Sequence, residues 1–266
     1  MKQSTAISTS RIQLNKYSDQ VVEGESFIAD HIFSYIISGN QDMYIGNKLF
    51  TFKDGDFRLF RKNHLVKYAK KPTKQGYRTI TVTIDQNTLR EIKKETEYKT
   101  RNRIPDEPVF LLKPNDYLHS YIESLSPYLK NDRAFNNRII QLKVKELVLI
   151  LVETMPELGS VLFDFSEPGK LDLEAFMQEH YRYNVALKQF AYLTGRSLST
   201  FKRDFEKVFH ATPNKWLVQR RLQEAQFLIR DKNKRPADIY LDLGFEDLSH
   251  FSFAYKKAFG NAPTRQ

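Results

Sequence analysis

Short runs of alternating apolar and polar residues fill the first hundred positions of the chain. They include Phe27-Ile28, His31-Ile32-Phe33-Ser34-Tyr35-Ile36-Ile37, Met43-Tyr44-Ile45, Phe57-Arg58-Leu59-Phe60, His64-Leu65-Val66-Lys67-Tyr68 and Tyr77-Arg78-Thr79-Ile80-Thr81-Val82-Thr83-Ile84. Turn-forming groups separate them: Ser38-Gly39-Asn40, Gly46-Asn47 and Asp54-Gly55-Asp56. A period of two between turn signals marks β-strands. Short strands at this close spacing predict a small antiparallel barrel or sandwich.

After Pro108 the period lengthens. Tyr117, Leu118, Tyr121, Ile122, Leu125, Tyr128 and Leu129 fall three or four residues apart, which predicts an amphipathic helix capped by Asn115 or Asp116. A second helix is expected from about Asn136 to Glu153. Its apolar residues are Ile139, Ile140, Leu142, Val144, Leu147, Val148, Leu149, Ile150, Leu151 and Val152. A helix apolar over so wide an arc needs cover on more than one side. Two readings follow: two neighbours within the chain, or a homodimer contact through Ile140, Val144, Leu147, Leu149, Ile150 and Leu151. Met155-Pro156-Glu157-Leu158-Gly159 ends the helix, and Glu167-Pro168-Gly169-Lys170 reads as a linker. The expected divisions are a β-rich part at 1–108, a helical region at 109–157, a linker at 158–170 and a helical domain at 171–266.

The last hundred residues contain one pattern twice. The first copy runs Leu187-Lys188-Gln189-Phe190-Ala191-Tyr192-Leu193-Thr194-Gly195, then Phe201, Phe205, Val208, Phe209 and Pro213. The second runs Ala237-Asp238-Ile239-Tyr240-Leu241-Asp242-Leu243-Gly244, then Phe251, Tyr255, Ala258, Phe259 and Pro263. The apolar positions match at a shift of 50 and the glycines at 49. Each copy reads as a helix, a tight glycine turn and a second helix with an apolar stripe, the anatomy of a helix-turn-helix. The stripe locks the second helix down, and its other face is left for the DNA major groove. In the first copy that face carries Ser199, Thr200, Lys202, Arg203 and Lys207. In the second it carries Leu248, Ser249, His250, Ser252 and Phe253, followed by Lys256 and Lys257. The second is less basic, so less direct base reading is expected there. Trp216, Leu217, Leu222, Ala225, Leu228 and Ile229 make the connecting segment an amphipathic helix that opens at Pro213.

Charge strengthens this reading. The chain of 266 residues has 42 Lys and Arg against 32 Asp and Glu, a net charge of +10, which suits a polyanionic partner. With 41% hydrophobic and 28% charged residues it is an ordinary globular composition. The absence of Cys excludes disulfides, thiolate zinc sites and a Cys nucleophile. The start, Met1-Lys2-Gln3-Ser4-Thr5, is polar, and the longest apolar run, Leu147 to Val152, is too short to span a bilayer. A cytoplasmic protein with no membrane partner is expected. His31, His64, His119, His180 and His210 stand apart from one another, and no Gly-rich phosphate loop or nucleophile elbow occurs. No cofactor, metal or catalytic residue is therefore expected. Arg61, Lys62, Lys67, Lys70, Lys71, Lys74 and Arg78 form a basic stretch that reads first as a solvated loop, and otherwise suits an anionic ligand or an acidic protein.

Three segments carry a resemblance to a known family. They are Phe190-Ala191-Tyr192-Leu193-Thr194-Gly195-Arg196-Ser197-Leu198-Ser199-Thr200-Phe201-Lys202-Arg203-Asp204-Phe205, Arg221-Leu222-Gln223-Glu224-Ala225, and Gly244-Phe245 through Phe259-Gly260. Together they resemble the AraC/XylS family of bacterial transcription regulators. The β-rich part resembles the cupin-like sensor domain that many members carry. The resemblance implies an α+β multidomain protein. A cupin-like antiparallel β-barrel and helical linker or dimerisation helices would precede an all-α tandem helix-turn-helix domain. It implies a monomer or homodimer that binds double-stranded promoter DNA, recruits RNA polymerase, usually as an activator, and answers to a small-molecule or protein effector. The DNA-facing set is then Ser197, Ser199, Thr200, Lys202, Arg203, Lys207, Ser249, His250, Ser252, Lys256 and Lys257. Phe253 stands where many members have a polar or basic residue. The competing reading is a cupin-type metal enzyme with a helical appendage.

Overall fold

Successive residues of a strand face opposite sides of its sheet, and the side that each buries sorts the strands into layers. In the computed structural model the described residues are 11–17, 20–46, 48–96, 107–130 and 137–263. The polar start at Met1–Thr5, Asn47 of the expected turn and Asn136 at the expected helix start lie outside them. The described residues fall into two compact units. The first runs to Ser166 apart from Glu25–Phe27; the second takes Glu25–Phe27 and the residues from Glu167 on.

The first unit contains β1 (Ile12–Tyr17), β2 (Val22–Ile28, apart from Glu25–Phe27), β3 (His31–Ser38), β4 (Asn40–Ile45), β5 (Lys48–Phe52), β6 (Phe57–Phe60), β7 (His64–Lys71), β8 (Tyr77–Ile84) and β9 (Val109–Leu112). Its helices are α1 (Gln86–Thr96), α2 (Asp116–Lys130), α3 (Asn137–Thr154) and α4 (Leu158–Leu162). The strands form two sheets, ordered β1-β8-β3-β6-β9 and β2-β7-β4-β5, rather than one closed ring. The first sheet is covered on both faces. Phe33, Phe57, Leu59, Ile80, Val82 and Ile84 join Leu89, Ile92, Leu118, Tyr121, Leu125, Val144, Leu147, Val148 and Leu151 of the helices in one core. Alternate residues, Ile36 and Phe60, join Ile28, Met43, Ile45, Phe52 and Val66 in a second core between the sheets.

Three sequence expectations are corrected here. Residues 86–96 form a helix, not strand; the Asp85 carboxylate caps it by accepting from the backbone N–H of Asn87 and Thr88. The expected helical region opens on a strand, β9, which pairs with β6. The third concerns the expected dimer contact. Val144, Leu147 and Leu151 are fully buried in the unit's own core, because α3 lies against β8, α1, α2 and α4 at once. Ile140 and Ile150 are half-buried on the same core. Only Leu149 of the six expected contact residues is exposed. Most of the wide apolar arc is thus met by neighbours within the unit, while Ile139, Leu142 and Leu149 are exposed.

Polar groups join the two sheets. The Arg58 guanidinium is buried and donates to Ser34 Oγ (2.7 Å) and Gln41 Oε1 (2.7 Å), while Tyr77 Oη donates to the same Gln41 oxygen (2.9 Å). Arg58 also lies over the rings of Phe52 (4.8 Å) and Phe60 (5.2 Å). Near it, Lys70 Nζ sits over Tyr17 (4.6 Å) and Tyr68 (4.8 Å) and donates to Tyr17 Oη (3.3 Å).

The second unit is helical: α5 (Leu173–His180), α6 (Leu187–Leu193), α7 (Leu198–Phe209), α8 (Pro213–Arg230), α9 (Pro236–Ile239) and α10 (Leu248–Phe259). Its buried cation, Arg221 on α8, donates to three backbone carbonyls, those of Tyr181, Tyr183 and Gly244, each at 2.8 Å. No helix among the described residues is long and apolar enough to cross a membrane.

Burial, with the Arg58 charge adding, pushes the Lys70 ammonium down to about 8 from its ordinary 10.5. The unfolded chain therefore holds more protons between those values, and the stability that Lys70 costs is regained as pH rises from about 8 to about 10.5. Burial raises the Tyr68 and Tyr77 phenols, so neither ionises below its ordinary value of 10. Lys70→Met should stabilise the first unit at pH 7 by about 1 kcal/mol, about 2–4 °C in calorimetry, and the advantage should fade toward pH 10. An unchanged melting temperature at pH 7 would show that the ammonium is held without cost. Arg221→Met should destabilise the second unit by about 2–4 kcal/mol, because three buried carbonyls lose their donor. Trp216, the single tryptophan, lies in that unit and reports its unfolding by fluorescence. Arg221→Lys should rescue only part, since one ammonium lacks the planar fork that reaches three carbonyls.

Candidate nucleic-acid interface

The duplicated sequence pattern becomes duplicated geometry. Gly195 and Gly244 both take left-handed backbone conformations, with φ of 65° and 80°. A Cβ at Gly195 would lie 2.6 Å from the Gly169 carbonyl oxygen, and one at Gly244 would lie 2.5 Å from the Arg182 carbonyl oxygen. Neither turn has room for a side chain. Ser197 caps α7 by accepting from the Thr200 N–H (3.2 Å), and Asp247 caps α10 by accepting from the His250 N–H (2.7 Å). Both helices end in left-handed residues, His210 (φ 52°) and Gly260 (φ 81°), again 50 positions apart.

The apolar stripes do what their spacing implies. Phe201 and Phe205 of α7, and Phe251 and Tyr255 of α10, are buried. Val208, expected in the stripe, is exposed, one residue before the end of α7. Phe205, Phe209 and Trp216 stack in succession, with centroids 4.4 and 4.5 Å apart, tying α7 to α8. On the other side Leu222, Ala225 and Ile229 of α8 share a core with Ile239, Leu243, Phe245, Phe251 and Tyr255. The first helix of the second copy, α9, is a single turn, shorter than its sequence pattern suggests.

Most of the expected DNA-facing residues lie on the open faces. Ser199, Lys202, Arg203 and Lys207 of α7 are exposed, as are Ser249, His250, Lys256 and Lys257 of α10; Thr200 and Ser252 are half-buried. Lys202, Lys207, Lys256 and Lys257 make no ion pair among the described residues. Arg203 reaches Asp204 (3.3 Å), which also binds Arg196 (3.2 Å). Ser197 serves the helix itself, since its hydroxyl caps α7 and donates to Thr200 Oγ1 (3.0 Å).

Sequence reasoning missed two contributors. Arg196 is nearly buried and donates to the carbonyls of Thr194 (2.7 Å) and Leu171 (3.0 Å), bracing the first turn. Arg221 braces the second, and only its place inside an apolar helical stripe could have singled it out. Phe253, placed by the sequence on the open face of α10, is 70% exposed there.

In the first unit, His31 is fully buried and kept neutral. Burial, helped by Lys62 and Arg61, lowers its pKa to about 3, and its Nδ1 accepts from the Lys62 N–H (3.4 Å). No group of three His, Asp or Glu side chains suited to a metal occurs among the described residues.

Residues 31–161 match the family described as the ExsA N-terminal regulatory domain, and residues 190–265 match a helix-turn-helix domain. The HTH-type transcriptional regulator ExsA of Pseudomonas aeruginosa is 32% identical over 126 residues, 47% of this chain and 45% of that protein. The virulence regulon transcriptional activator VirF of Yersinia enterocolitica is 28% identical over 172 residues, 64% of this chain and 63% of that protein. The matched part thus spans about half to two-thirds of these relatives' length. A crystal structure of an apo ToxT variant from Vibrio cholerae aligns with 12% identity over 96% of each chain, at a TM-score of 0.47. The chain belongs to the AraC/XylS family of transcription regulators, with an ExsA-type regulatory domain followed by a helix-turn-helix domain.

Proposed function

We propose that this protein is a sequence-specific DNA-binding transcription regulator that reads two adjacent major-groove segments, one with α7 and one with α10. The observation that carries this reading is the matched pair of exposed helices. Each is capped, locked by two buried aromatic residues, and anchored to the same connector, α8. In the first reader, Lys202 and Arg203 have the reach and donors for guanine O6 and N7, with Ser199 and Thr200 beside them. Lys207, Lys256 and Lys257 suit phosphates, and Ser249, His250 and Ser252 lie on the face of the second reader. Ser197 acts as a cap that presents the N-terminus of α7 toward the backbone.

The ExsA-type domain is where an effector, a small molecule or a protein, controls binding. RNA polymerase is the second partner, and activation is the favoured outcome, as the name of the VirF relative states for that protein. The family of regulators favours this reading over a cupin-type enzyme.

On a duplex selected from a random pool, the full chain should protect two major-groove segments about one helical turn, ~34 Å, apart. Protection of a single segment contradicts a two-reader mechanism. Lys202→Ala and Arg203→Ala should each weaken cognate binding by about 1–3 kcal/mol where a base edge is read, and should relax preference at one position. Lys257→Ala should weaken all sequences alike and flatten the salt dependence by about one phosphate. Equal, sequence-blind losses from all three substitutions would show that α7 reads no base.

A further inference from the structure

The two readers differ most at one pair of matched positions. The repeat shift of 50 places Phe253 of α10 opposite Arg203 of α7. Both side chains stand out from their helices: Arg203 is 66% exposed and Phe253 is 70% exposed. Phe253 takes no part in the core that Phe251 and Tyr255 build on the other side of α10. Along its own face it follows Ser249 by one turn and precedes Lys256 and Lys257 by one turn, so the ring is bracketed by groups suited to a phosphate backbone.

A phenyl ring on such a face has no donor or acceptor for a purine edge. It does complement the one apolar group the major groove presents, the 5-methyl of thymine. We propose that Phe253 is a specificity-determining residue of the second helix-turn-helix and that it reads a thymine methyl group. The two DNA segments are then recognised by different chemistry, a polar purine edge by Lys202 and Arg203, and a methyl group by Phe253. This rests on the DNA-binding reading above and adds the base that the second reader selects.

The test uses the full chain on the duplex selected for two-segment binding. Each thymine of the segment under α10 is replaced in turn by deoxyuridine, which removes only the methyl. One replacement should weaken the wild-type chain about three- to fivefold, the value of burying one methyl-sized group. Phe253→Ala should lose a similar factor on thymine DNA and nothing further on the deoxyuridine duplex, with an unchanged salt slope, because no phosphate contact is lost. Phe253→Arg should shift the selected base at that position toward guanine. Phe253 is exposed, so these variants keep the fold, and Trp216 fluorescence verifies it.

If every deoxyuridine duplex binds the wild-type chain as the thymine duplex does, the methyl contact is refuted while two-segment binding stands. A Phe253→Ala loss equal on both duplexes, with a reduced DNA bend, would make the ring a wedge between bases and overturn the proposal. If the wild-type chain selects no duplex at all, the DNA-binding reading falls and this inference falls with it.

Discussion

Three carbonyl oxygens converge on the Arg221 guanidinium, and the second unit is organised around that convergence. The group is buried and its hydrogen-bond partners are neutral carbonyls; burial lowers its pKa, and the Glu25 carboxylate acts against that loss only as the lesser influence. Such a cation is tolerated only when its hydrogen bonds are met with good geometry. The planar fork fixes three directions at once, toward the 181–183 turn and toward Gly244. A Cβ at Gly244 would lie 2.8 Å from the guanidinium carbon, so glycine is required by contact as well as by conformation. The turn of the second helix-turn-helix is thereby set relative to α8. The Phe205, Phe209 and Trp216 stack sets the first relative to the same helix. Two helix-turn-helix units referenced to one helix of 18 residues, about 27 Å long, keep a fixed separation, which is what the proposed reading of successive turns of a duplex requires.

The first unit uses a buried arginine differently. Arg58 lies between two sheets, and its bonds to Ser34 and Gln41 join β3 and β6 of one to β4 of the other. Phe52 and Phe60 face the cation, which softens its burial. Its Nε has no hydrogen-bond partner, and a second cation, Lys70, lies close enough to be depressed by it. A hydrophobic replacement would fill this space at less electrostatic cost. What the polar set supplies is register: Gln41 accepts from Arg58 and from Tyr77 at one oxygen, and a slip of one residue in β4 would turn that oxygen to the opposite face.

How much of this was legible in the sequence depended on how local the signal was. The helix-turn-helix repeats were legible because Gly195, Phe201 and Phe205, and Gly244, Phe251 and Tyr255, fall within one supersecondary unit, where spacing alone implies packing. Strand existence was legible for the same reason. Strand partners were not: the choice between one barrel and two sheets is made by pairings such as β1 with β8, sixty to seventy residues apart. The helix α1 escaped notice because only Thr88, Leu89 and Ile92 are buried on it, too few to outweigh its charged residues. For α3 the pattern correctly demanded cover on several sides. Which neighbours supply that cover was a long-range question: β8, α1, α2 and α4 bury Val144, Leu147 and Leu151, and Ile139, Leu142 and Leu149 stay exposed. Of the candidate interface, exposure of Lys202, Arg203, Lys256 and Lys257 followed from the helical period. The capping role of Ser197 did not, since a serine before a helix suits both a cap and a phosphate contact.

The two copies agree where the fold constrains them and differ where it does not. Gly195 and Gly244 occupy the same left-handed turn, Phe201 and Phe251 the same buried site, Phe209 and Phe259 the same half-buried edge. Each of these positions is fixed by a steric or packing demand that any sequence adopting the unit must meet. On the open faces the pairs part company: Lys202 stands against Ser252, and Arg203 against Phe253. Packing leaves Lys202, Arg203 and Phe253 the freest of these choices, since all three are exposed, while Ser252 is half-buried. A duplicated reader that kept its faces identical would recognise the same bases twice. Divergence at the exposed positions leaves the two capped helices in place while giving each its own chemistry, so a tandem unit can specify a longer and asymmetric sequence than one copy repeated.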